Sequence, residues 1–233
     1  MGILKTLGQR LLRKRPKARR GHGIADNTIQ LHGHTAFDRY PEVFLKVKKL
    51  FEGKAGPFKI LSFGCSTGEE VNTLATLYFT DAHDFKIVGV DIDPRSVRQA
   101  QKNNPQPDRV SFHESSDEVL AEHGPFDAIF AMSVLCAWPE TRDLDDISGY
   151  MTFDDFERHV RHLDQQLKVG GHFVIYNASF CFTDTETSKG YEPILIDDHR
   201  QSGFVKKFDT SNQSLGADYH YDQVIFEKLP HKA

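Results

Sequence analysis

The chain has 233 residues, of which 39% are hydrophobic and 27% are charged. This length and composition fit one ordinary α/β domain with a sizeable core and a short extension. The net charge of -4 is unevenly distributed, because residues 1–20 hold eight of the 29 Lys and Arg residues and no acid, which leaves 21 bases against 33 acids in the rest. The acidic body that follows residue 20 makes nucleic acid an unlikely obligate partner, since phosphate binding needs clustered Lys and Arg.

The first segment, residues 1–36, is predicted to be a flexible basic extension, and residues 37–233 are predicted to be the folded domain. Within residues 1–20, apolar side chains share one helical face and Lys or Arg occupy the others. This pattern is compatible with a solvated tail, a helix in weak contact with a membrane surface, or a transit peptide. Residues 1–6 also match the short M-G-x-x-x-[ST] pattern of myristate acceptors.

From residue 40 onward, short apolar runs alternate with helical patterns. Helices are predicted at residues 40–51, 68–79, 94–104, 116–122 and 152–167. Strands are predicted at residues 58–63, 85–90, 109–112, 125–132, 172–176 and 219–228. Repeated βα units at this spacing predict an α/β fold, with a doubly wound, mostly parallel seven-stranded sheet, helices on both faces and an antiparallel last strand.

The turn after the first strand reads Gly64-Cys65-Ser66-Thr67-Gly68 and is followed at once by Glu69 and Glu70. Ligands of open parallel sheets bind at the carboxyl ends of the strands, so this turn is expected to line a site. Its G-x-x-x-G spacing differs from the G-x-G-x-x-G of dinucleotide folds, and no lysine follows Gly68 as a P-loop requires. Two carboxylates at the start of a helix would repel a pyrophosphate but would tolerate a sulfonium and an ammonium group.

An acid, Asp91, follows the second predicted strand. In nucleotide-binding sheets a carboxylate at this position accepts hydrogen bonds from ribose hydroxyls. The alternative role is to cap the next helix. That role fits Asp93 better, because Asp93 immediately precedes Pro94 at the start of the helix. Asp91 is therefore predicted to bind a ligand.

Four segments together carry a family resemblance: ILSFGCSTGEE at 60–70, VGVDIDP at 88–94, GPFDAIFAMSVL at 124–135 and LKVGGHFVIYNA at 167–178. In this order they resemble the class I Rossmann-like S-adenosylmethionine-dependent methyltransferases, over roughly residues 58–180 and more loosely over 40–228. The first segment is also similar to chemotaxis-receptor methyltransferases. Val71-Asn72 stand where that group has Pro-Tyr, and the preceding chain is too short for its helical N-terminal domain, so no subfamily is assigned.

The resemblance implies S-adenosylmethionine as the cofactor. The turn would wrap its methionine part through Gly64, Cys65, Ser66 and Gly68. Glu69 would hold the ammonium group or, alternatively, would be a solvated acid that the helix dipole favours at the start of the helix. Asp91 would hold the ribose, and Ile92 would pack on the adenine.

The resemblance also indicates where the adenine and the methyl group would lie. Ser115 stands where an acid usually reads the adenine amino group. Ser115 and Ser116 would contact the adenine or, alternatively, cap the helix that follows. The end of the fourth strand, with Met132 and Ser133, would line the floor beneath the transferred methyl group. No N/D-P-P-Y run occurs there, so amino methylation of DNA bases or of glutamine in the usual way is not supported.

Methyl transfer from a sulfonium is an in-line displacement, which needs a general base only if the acceptor stays protonated. No catalytic residue is assigned. His113, Glu114 and Tyr176 lie near predicted strand ends and are candidate bases, with a structural role as the alternative for each. Residues 136–149 form an insertion after the fourth strand, which is either an acceptor-binding lid or an ordinary surface loop.

Cysteines and histidines do not indicate a disulfide framework or a metal site. Three cysteines lie far apart without a C-x-x-C pattern: Cys65, Cys136 and Cys181. The absence of a cysteine pairing pattern favours a reducing, cytoplasmic location. No apolar run in the sequence approaches the roughly 20 residues that are needed to span a bilayer. Two pairs of closely spaced histidines occur, His32 with His34 and His159 with His162. Neither pair has further ligands at matched spacing, so no metal ion is expected.

The predicted function is methyl transfer from S-adenosylmethionine to an unidentified acceptor, in the first place a small molecule and otherwise a protein or lipid group. A non-catalytic Rossmann-like interaction module is the alternative, although the intact Gly64, Gly68 and Asp91 weigh against it. An NAD(P)-dependent oxidoreductase is a weaker alternative, because the glycine spacing and the adjacent acids disfavour it. The sequence indicates neither the oligomeric state nor the acceptor atom.

Overall fold

The computed structural model describes residues 33–80, 84–197, 199 and 201–230. Residues 1–20, for which several roles were considered, lie outside the described residues, and so does His32. Helices and strands alternate along the described chain, from the first helix at Pro41 to the last strand, which ends at Lys228.

Five α-helices occur within the described ranges: α1 (Pro41–Phe51), α2 (Glu69–Thr73), α3 (Pro94–Lys102), α4 (Asp117–His123) and α5 (Phe153–Gln165). A π-helical turn, Leu74–Tyr78, continues α2. Three helices begin at a side chain that accepts hydrogen bonds from N–H groups of the first turn, namely Asp93 for α3, Ser116 for α4 and Thr152 for α5. These N-caps explain why the helices begin where they do.

The described chain contains one seven-stranded sheet: β1 (Phe58–Phe63), β2 (Phe85–Asp91), β3 (Val110–Glu114), β4 (Phe126–Met132), β5 (Leu167–Tyr176), β6 (Tyr191–Ile194) and β7 (Ile225–Lys228). The order across the sheet is β3-β2-β1-β4-β5-β7-β6. Strands β1 to β5 are parallel, β7 is antiparallel to β5, and β6 is antiparallel to β7. The predicted α/β fold, with a mostly parallel seven-stranded sheet and an antiparallel last strand, is confirmed.

Three strands differ from the sequence-based expectation. β7 is shorter, because the Tyr221 carbonyl accepts a hydrogen bond from the Ser202 N–H and the chain before β7 therefore pairs with a loop. β5 begins at Leu167 instead of residue 172, and pairs with β4 on both sides of a register shift. β6 was not predicted. It carries Pro193 and exposes Glu192 at the sheet edge, so its apolar pattern is weak.

Apolar side chains of the central strands alternate between two buried faces. Leu61 of β1 and Ile129 of β4 pack in one cluster with Phe156 of α5. Phe130 of β4 belongs to the cluster on the other face, where its ring centroid lies 6.1 Å from that of Phe44 in α1. Successive residues of a strand point to opposite faces, so the continuous apolar run of β4 follows from burial on both sides.

A titratable side chain, His172 of β5, lies in this core with 2% exposure. Its ring packs edge to face on Phe51, with 5.7 Å between the ring centroids. Burial lowers the pKa of His172 to about 4, and the positive charge of Lys54 acts in the same direction. The folded protein therefore holds a neutral imidazole at pH values where the unfolded chain, with a pKa of about 6.5, takes up a proton.

We expect His172 by itself to reduce the free energy of unfolding by about 2 kcal/mol between pH 7 and pH 5, because in this window the unfolded state binds a proton and the folded state does not. The substitution His172→Phe, which keeps a ring against Phe51, should remove this part of the pH dependence. Urea unfolding of both proteins at the two pH values measures it. The exposed His220 provides the control, His220→Gln, which should retain the wild-type dependence. A His172→Phe variant as sensitive to pH as the wild type would contradict the prediction.

Candidate functional site

The turn between β1 and α2 depends on two glycines. The N–H groups of Gly64 and Cys65 both donate to the Val90 carbonyl of β2, at 2.8 and 2.9 Å. Gly64 has a φ of +78°, and a Cβ there would lie 2.4 Å from Cγ2 of Val134. Gly68, the N-cap of α2, has a φ of +93° and is also crowded by neighbouring side chains. A larger residue would be strained at either position, so Gly64 allows the turn to approach Val134 after β4, and Gly68 allows it to approach Ala100 of α3 and Phe112 of β3.

Asp91, at the end of β2, supports the same turn. Its Oδ2 accepts a hydrogen bond from the Ser66 N–H at 2.7 Å, and its Oδ1 accepts one from the Asp93 N–H at 2.9 Å. Burial raises the pKa of Asp91. Asp93 caps α3, as expected, by accepting from the N–H groups of Arg95 and Ser96. Each oxygen of Asp91 has a further lone pair with which it can accept a hydrogen bond from a ligand hydroxyl.

Three carboxylates surround the glycine turn. Burial raises the pKa of the Cys65 thiol well above its usual value, and the negative charges of Asp91, Glu70 and Glu69 raise it further. Glu69 is held in place by the Thr67 hydroxyl, which donates to its carboxylate at 2.6 Å. The turn is therefore a site of negative potential.

The two adjacent acids have different environments. Glu70 is only 6% exposed, and its Oε1 accepts a hydrogen bond from the Ser62 hydroxyl of β1 at 2.8 Å. Burial raises the pKa of Glu70 to about 7, although this hydrogen bond and the charge of Arg39 act in the opposite direction. The sequence analysis considered both acids and assigned the ammonium contact to Glu69 alone, and it did not predict the buried pairing of Glu70 with Ser62. The available signal was Ser62, a polar residue in a buried strand, since buried polar groups need partners.

The residues predicted to contact adenine have separate roles. The Ser115 N–H donates to the Asp91 carbonyl at 2.9 Å, which places Ser115 beside the end of β2. The Ser116 hydroxyl accepts from the Val119 N–H and caps α4, which is the alternative role considered for it. Ile92 follows Asp91 and is half-buried. The structure thus brings Ile92 and Ser115 close to Asp91, whereas Ser116 stabilises the start of a helix.

At the end of β4, Ser133 forms a polar triangle with Tyr40 and Asn177. The Tyr40 hydroxyl lies 3.1 Å from Ser133 Oγ, and Asn177 Nδ2 donates to the hydroxyls of Tyr40 and Ser133 at 2.8 and 2.9 Å. Asn177 and the predicted floor residue Met132 are buried, whereas Tyr40 and Ser133 are half-buried. Sequence reasoning missed Tyr40 and Asn177. Asn177 follows β5 as Ser133 follows β4, so the rule that ligands bind at strand ends was a signal for it.

The candidate bases lie in two different places. His113 and Glu114 belong to β3, which is separated from β4 by three strand spacings, about 14 Å. Both side chains are therefore distant from the predicted methyl position at the end of β4. The Tyr176 ring packs against Tyr40 with 4.4 Å between centroids. Burial raises the pKa of Tyr176 to about 12, so its phenol keeps its proton at neutral pH.

Residues 33–40 lie against the glycine turn and α2. The Ser66 hydroxyl donates to the Gly33 carbonyl at 2.8 Å, and the Asp38 N–H donates to Thr73 Oγ1 at 2.9 Å. Part of the predicted extension, at residues 33–36, therefore contacts the domain at the candidate site.

The insertion at residues 136–149 is fixed to the C-terminal part of the chain. Backbone hydrogen bonds connect it to residues 212–214. The Trp138 ring packs edge to face on Phe204, with 5.0 Å between centroids, and the Phe204 N–H donates to Asn177 Oδ1 at 2.8 Å. One ring contact and one hydrogen bond thus connect the insertion with the polar triangle.

In the part of the chain that the structure describes, no three His, Cys, Asp or Glu side chains are arranged to hold a metal ion. His159 Nδ1 lies 2.7 Å from the Asp155 carbonyl, and His162 Nε2 lies 3.1 Å from the Asp117 carboxylate, so both histidines have local partners. None of the helices in this part is both long and apolar enough to cross a membrane.

Three solved structures resemble the chain at low sequence identity. TehB from Haemophilus influenzae is 14% identical in sequence to this chain. The match covers 80% of this chain and 61% of the TehB chain, with a TM-score of 0.48. CalS10 with bound S-adenosylmethionine, an amino pentose methyltransferase from Micromonospora echinaspora, is 19% identical, with coverages of 72% and 61% and a TM-score of 0.43. A TehB-like methyltransferase from Corynebacterium glutamicum is 18% identical, with coverages of 82% and 89% and a TM-score of 0.47. This chain thus spans less than two thirds of the first two proteins.

No curated protein matches the chain in sequence. A family model described as a methyltransferase domain matches residues 57–219, which is more than half of the chain. The matched range contains the glycine turn, Asp91, Ser133 and Asn177. The chain therefore belongs to this family of methyltransferase domains, which confirms its predicted place among the class I S-adenosylmethionine-dependent methyltransferases, with S-adenosylmethionine as the cofactor of that superfamily.

Proposed function

We propose that this chain transfers the methyl group of S-adenosylmethionine to a small-molecule acceptor. The observation that carries the proposal is the placement of Asp91, Glu70 and Glu69 around the glycine turn, fixed by hydrogen bonds from Ser66, Ser62 and Thr67 respectively. The cofactor has a sulfonium and an ammonium group, and its ribose has two hydroxyls. Three carboxylates complement these charges and hydroxyls, whereas they would repel the pyrophosphate of NAD(P). This charge distribution disfavours an oxidoreductase.

Each part of the cofactor, from the adenine to the methyl group, is matched here with residues at the carboxyl edge of the sheet. Ile92 and Ser115 would line the adenine, and Asp91 would accept hydrogen bonds from the ribose hydroxyls. The methionine part would lie along the turn formed by Gly64, Cys65, Ser66 and Gly68, with its ammonium group attracted by Glu69 and Glu70. Met132 and Ser133 would lie beneath the methyl group. Ser116 is left out of this assignment because its hydroxyl caps α4.

The reaction is an in-line displacement on the methyl carbon. A lone pair of the acceptor forms the new bond, the carbon–sulfur bond breaks, and its electron pair stays on sulfur to give S-adenosylhomocysteine. The sulfonium is already a good leaving group, so the protein contributes mainly by holding both reactants in line.

Two contacts support a small acceptor. Residues 33–40 lie on the turn through Gly33 and Ser66, and Phe204 is bound to Asn177 at the end of β5. Tyr40 of the first segment and Phe204 of the second both border the end of β4, which favours an acceptor small enough to fit between them. The acidic body of the chain also argues against nucleic acid.

Isothermal titration calorimetry should detect binding of S-adenosylmethionine and of S-adenosylhomocysteine, and no binding of NAD, because only the first two carry an ammonium group and lack a pyrophosphate. Heat with NAD alone would favour an oxidoreductase. No heat with either adenosyl ligand would contradict the proposal.

The substitution Asp91→Asn should weaken the binding of both adenosyl ligands about tenfold or more, because a charged hydrogen bond contributes about 1.5–3 kcal/mol. Asparagine keeps one oxygen that can accept the Ser66 N–H, but the Asp93 N–H loses its acceptor, so circular dichroism is needed to show that the variant keeps the fold. The matched control is Asp93→Asn, which changes the same charge two residues away and leaves a good helix cap. Calorimetry measures both. Wild-type affinity in Asp91→Asn would remove Asp91 from the site.

Affinity for S-adenosylhomocysteine should rise by up to about tenfold from pH 6 to pH 7.5. Glu70, with a pKa of about 7 in the free protein, becomes ionised in this window. The ligand's ammonium group would lower the pKa of Glu70 in the complex, so binding releases a proton and is favoured at higher pH. Glu70→Gln should abolish this dependence, and Glu69→Gln should retain it. A Glu70→Gln variant with the wild-type pH profile would exclude this role of Glu70.

A further inference from the structure

Arg39 lies between two residues that are attached to different sides of the candidate site. On one side, the Asp38 N–H donates to Thr73 Oγ1 at 2.9 Å, which attaches the chain to the end of α2. On the other side, the Tyr40 hydroxyl lies 3.1 Å from Ser133 Oγ, which attaches the chain to the end of β4. The glycine turn joins β1 to α2, and β4 is the neighbour of β1, so Arg39 spans the gap beside this turn.

The guanidinium of Arg39 is held in this position by local contacts. Its Nη1 donates to the His34 carbonyl at 2.8 Å, which closes a loop around the residues between them. Its Cζ lies 5.0 Å from the centroid of the Tyr40 ring, and the side chain is half-buried. The loop itself lies on the glycine turn, because the Ser66 hydroxyl donates to the Gly33 carbonyl. The positive charge of Arg39 is therefore kept close to the turn.

This charge reaches Glu70 without forming a pair with it. The charge of Arg39 lowers the pKa of Glu70, against the larger effect of burial, so the two groups lie within electrostatic range of each other. Within the part of the chain that the structure describes, Arg39 forms no ion pair, and its other N–H groups have no acceptor. The Glu70 carboxylate accepts from the Ser62 hydroxyl instead. A guanidinium and a buried carboxylate thus act on the same turn without contact between them.

The proposed cofactor carries a charge that the acids of the turn cannot bind. The methionine part of S-adenosylmethionine ends at an α-carbon that bears both an ammonium group and a carboxylate. The acids attract the ammonium group but repel the carboxylate. A guanidinium beside them offsets this repulsion, because its planar fork can donate parallel N–H bonds to both oxygens of a carboxylate. A guanidinium and several acids at one turn therefore suit a zwitterion better than a simple cation.

We propose that Arg39 binds the α-carboxylate of S-adenosylmethionine, while Glu69 and Glu70 attract its ammonium group. This inference rests on the proposed methyl transfer and adds a residue that determines its specificity for the cofactor. Residues 33–40 then form one wall of the cofactor site, because this segment is attached to the turn, to α2 and to the end of β4. The protein selects the complete amino-acid end of the cofactor, and a ligand without the carboxylate loses the contact with Arg39.

A carboxylate on the methyl acceptor offers the same chemistry to the guanidinium. The contacts of Arg39 favour the cofactor as the source, because its loop lies on Ser66 of the turn and its charge acts on Glu70, which follows the turn. Binding measured without any acceptor separates the two sources.

Two ligands that differ only in the carboxylate test the proposal. Decarboxylated S-adenosylhomocysteine keeps the adenosine, the sulfur and the ammonium group of S-adenosylhomocysteine. Isothermal titration calorimetry without an acceptor gives the Kd of each ligand. We expect the wild-type protein to bind S-adenosylhomocysteine about tenfold or more tightly than the decarboxylated ligand, because hydrogen bonds between charged groups are the strong ones.

The test variant is Arg39→Gln, which removes the charge and keeps an N–H donor for the His34 carbonyl. It should weaken the binding of S-adenosylhomocysteine about tenfold or more and should not weaken the binding of the decarboxylated ligand. Arg39→Lys keeps the charge without the planar fork and should recover part of the lost affinity. The matched control is Lys49→Gln, which removes a positive charge from the exposed face of the last turn of α1 and should leave both Kd values unchanged.

The two ligands also distinguish the ways in which the proposal can fail. Wild-type affinity of Arg39→Gln for S-adenosylhomocysteine overturns the assignment of Arg39. An equal loss of affinity for both ligands shows that Arg39 supports the structure of its segment and overturns the assignment as well. A wild-type protein that binds both ligands equally disproves the carboxylate contact alone, whereas one that binds neither ligand disproves the proposed methyl transfer.

Discussion

The parallel direction of β1 to β5 brings the carboxyl ends of five strands to one edge of the sheet, and the whole candidate site depends on this constraint. The glycine turn follows β1, Asp91 ends β2, Ser133 follows β4 and Asn177 follows β5. Since β1 and β4 are neighbours, the turn and Ser133 are adjacent, and Val134 packs against the turn at Gly64. Strand order thereby brings residues that are distant in the chain to one surface.

Charge is the second property of this edge. Glu70 and Asp91 are largely buried and their pKa values are raised, because burial disfavours the ionised carboxylates. The charge of Asp93 increases this cost for Asp91, whereas the charge of Arg39 reduces it for Glu70. A ligand with positive charge would reduce it, because attraction to the carboxylates replaces the lost hydration. The fold uses two of these acids in its own hydrogen bonds, Asp91 with Ser66 and Asp93 and Glu70 with Ser62, and still carries the cost of burying their charge.

Asn177 connects the parts that meet at the other end of the site. Its amide binds Tyr40 from the chain before α1, Ser133 from the end of β4 and the Phe204 backbone from the chain before β7. Phe204 in turn packs on Trp138 of the insertion. The geometry at the end of β4 is therefore set jointly by segments that are remote in sequence, so a change in any one of them would alter the others.

The sequence by itself determined the α/β fold, the position of the glycine turn and the Asp93 helix cap, because these depend on periodicity and on interactions between residues a few positions apart. The ligand role of Asp91 stays a prediction, and its hydrogen bond with Ser66, 25 positions away, was decided by the strand pairing. It did not determine β6, whose edge position leaves little apolar pattern, nor the pairing of Glu70 with Ser62. The polar triangle was decided only by the tertiary structure. Tyr40, Ser133 and Asn177 lie 93 and 44 positions apart, and no local propensity encodes a contact that strand order and loop path create.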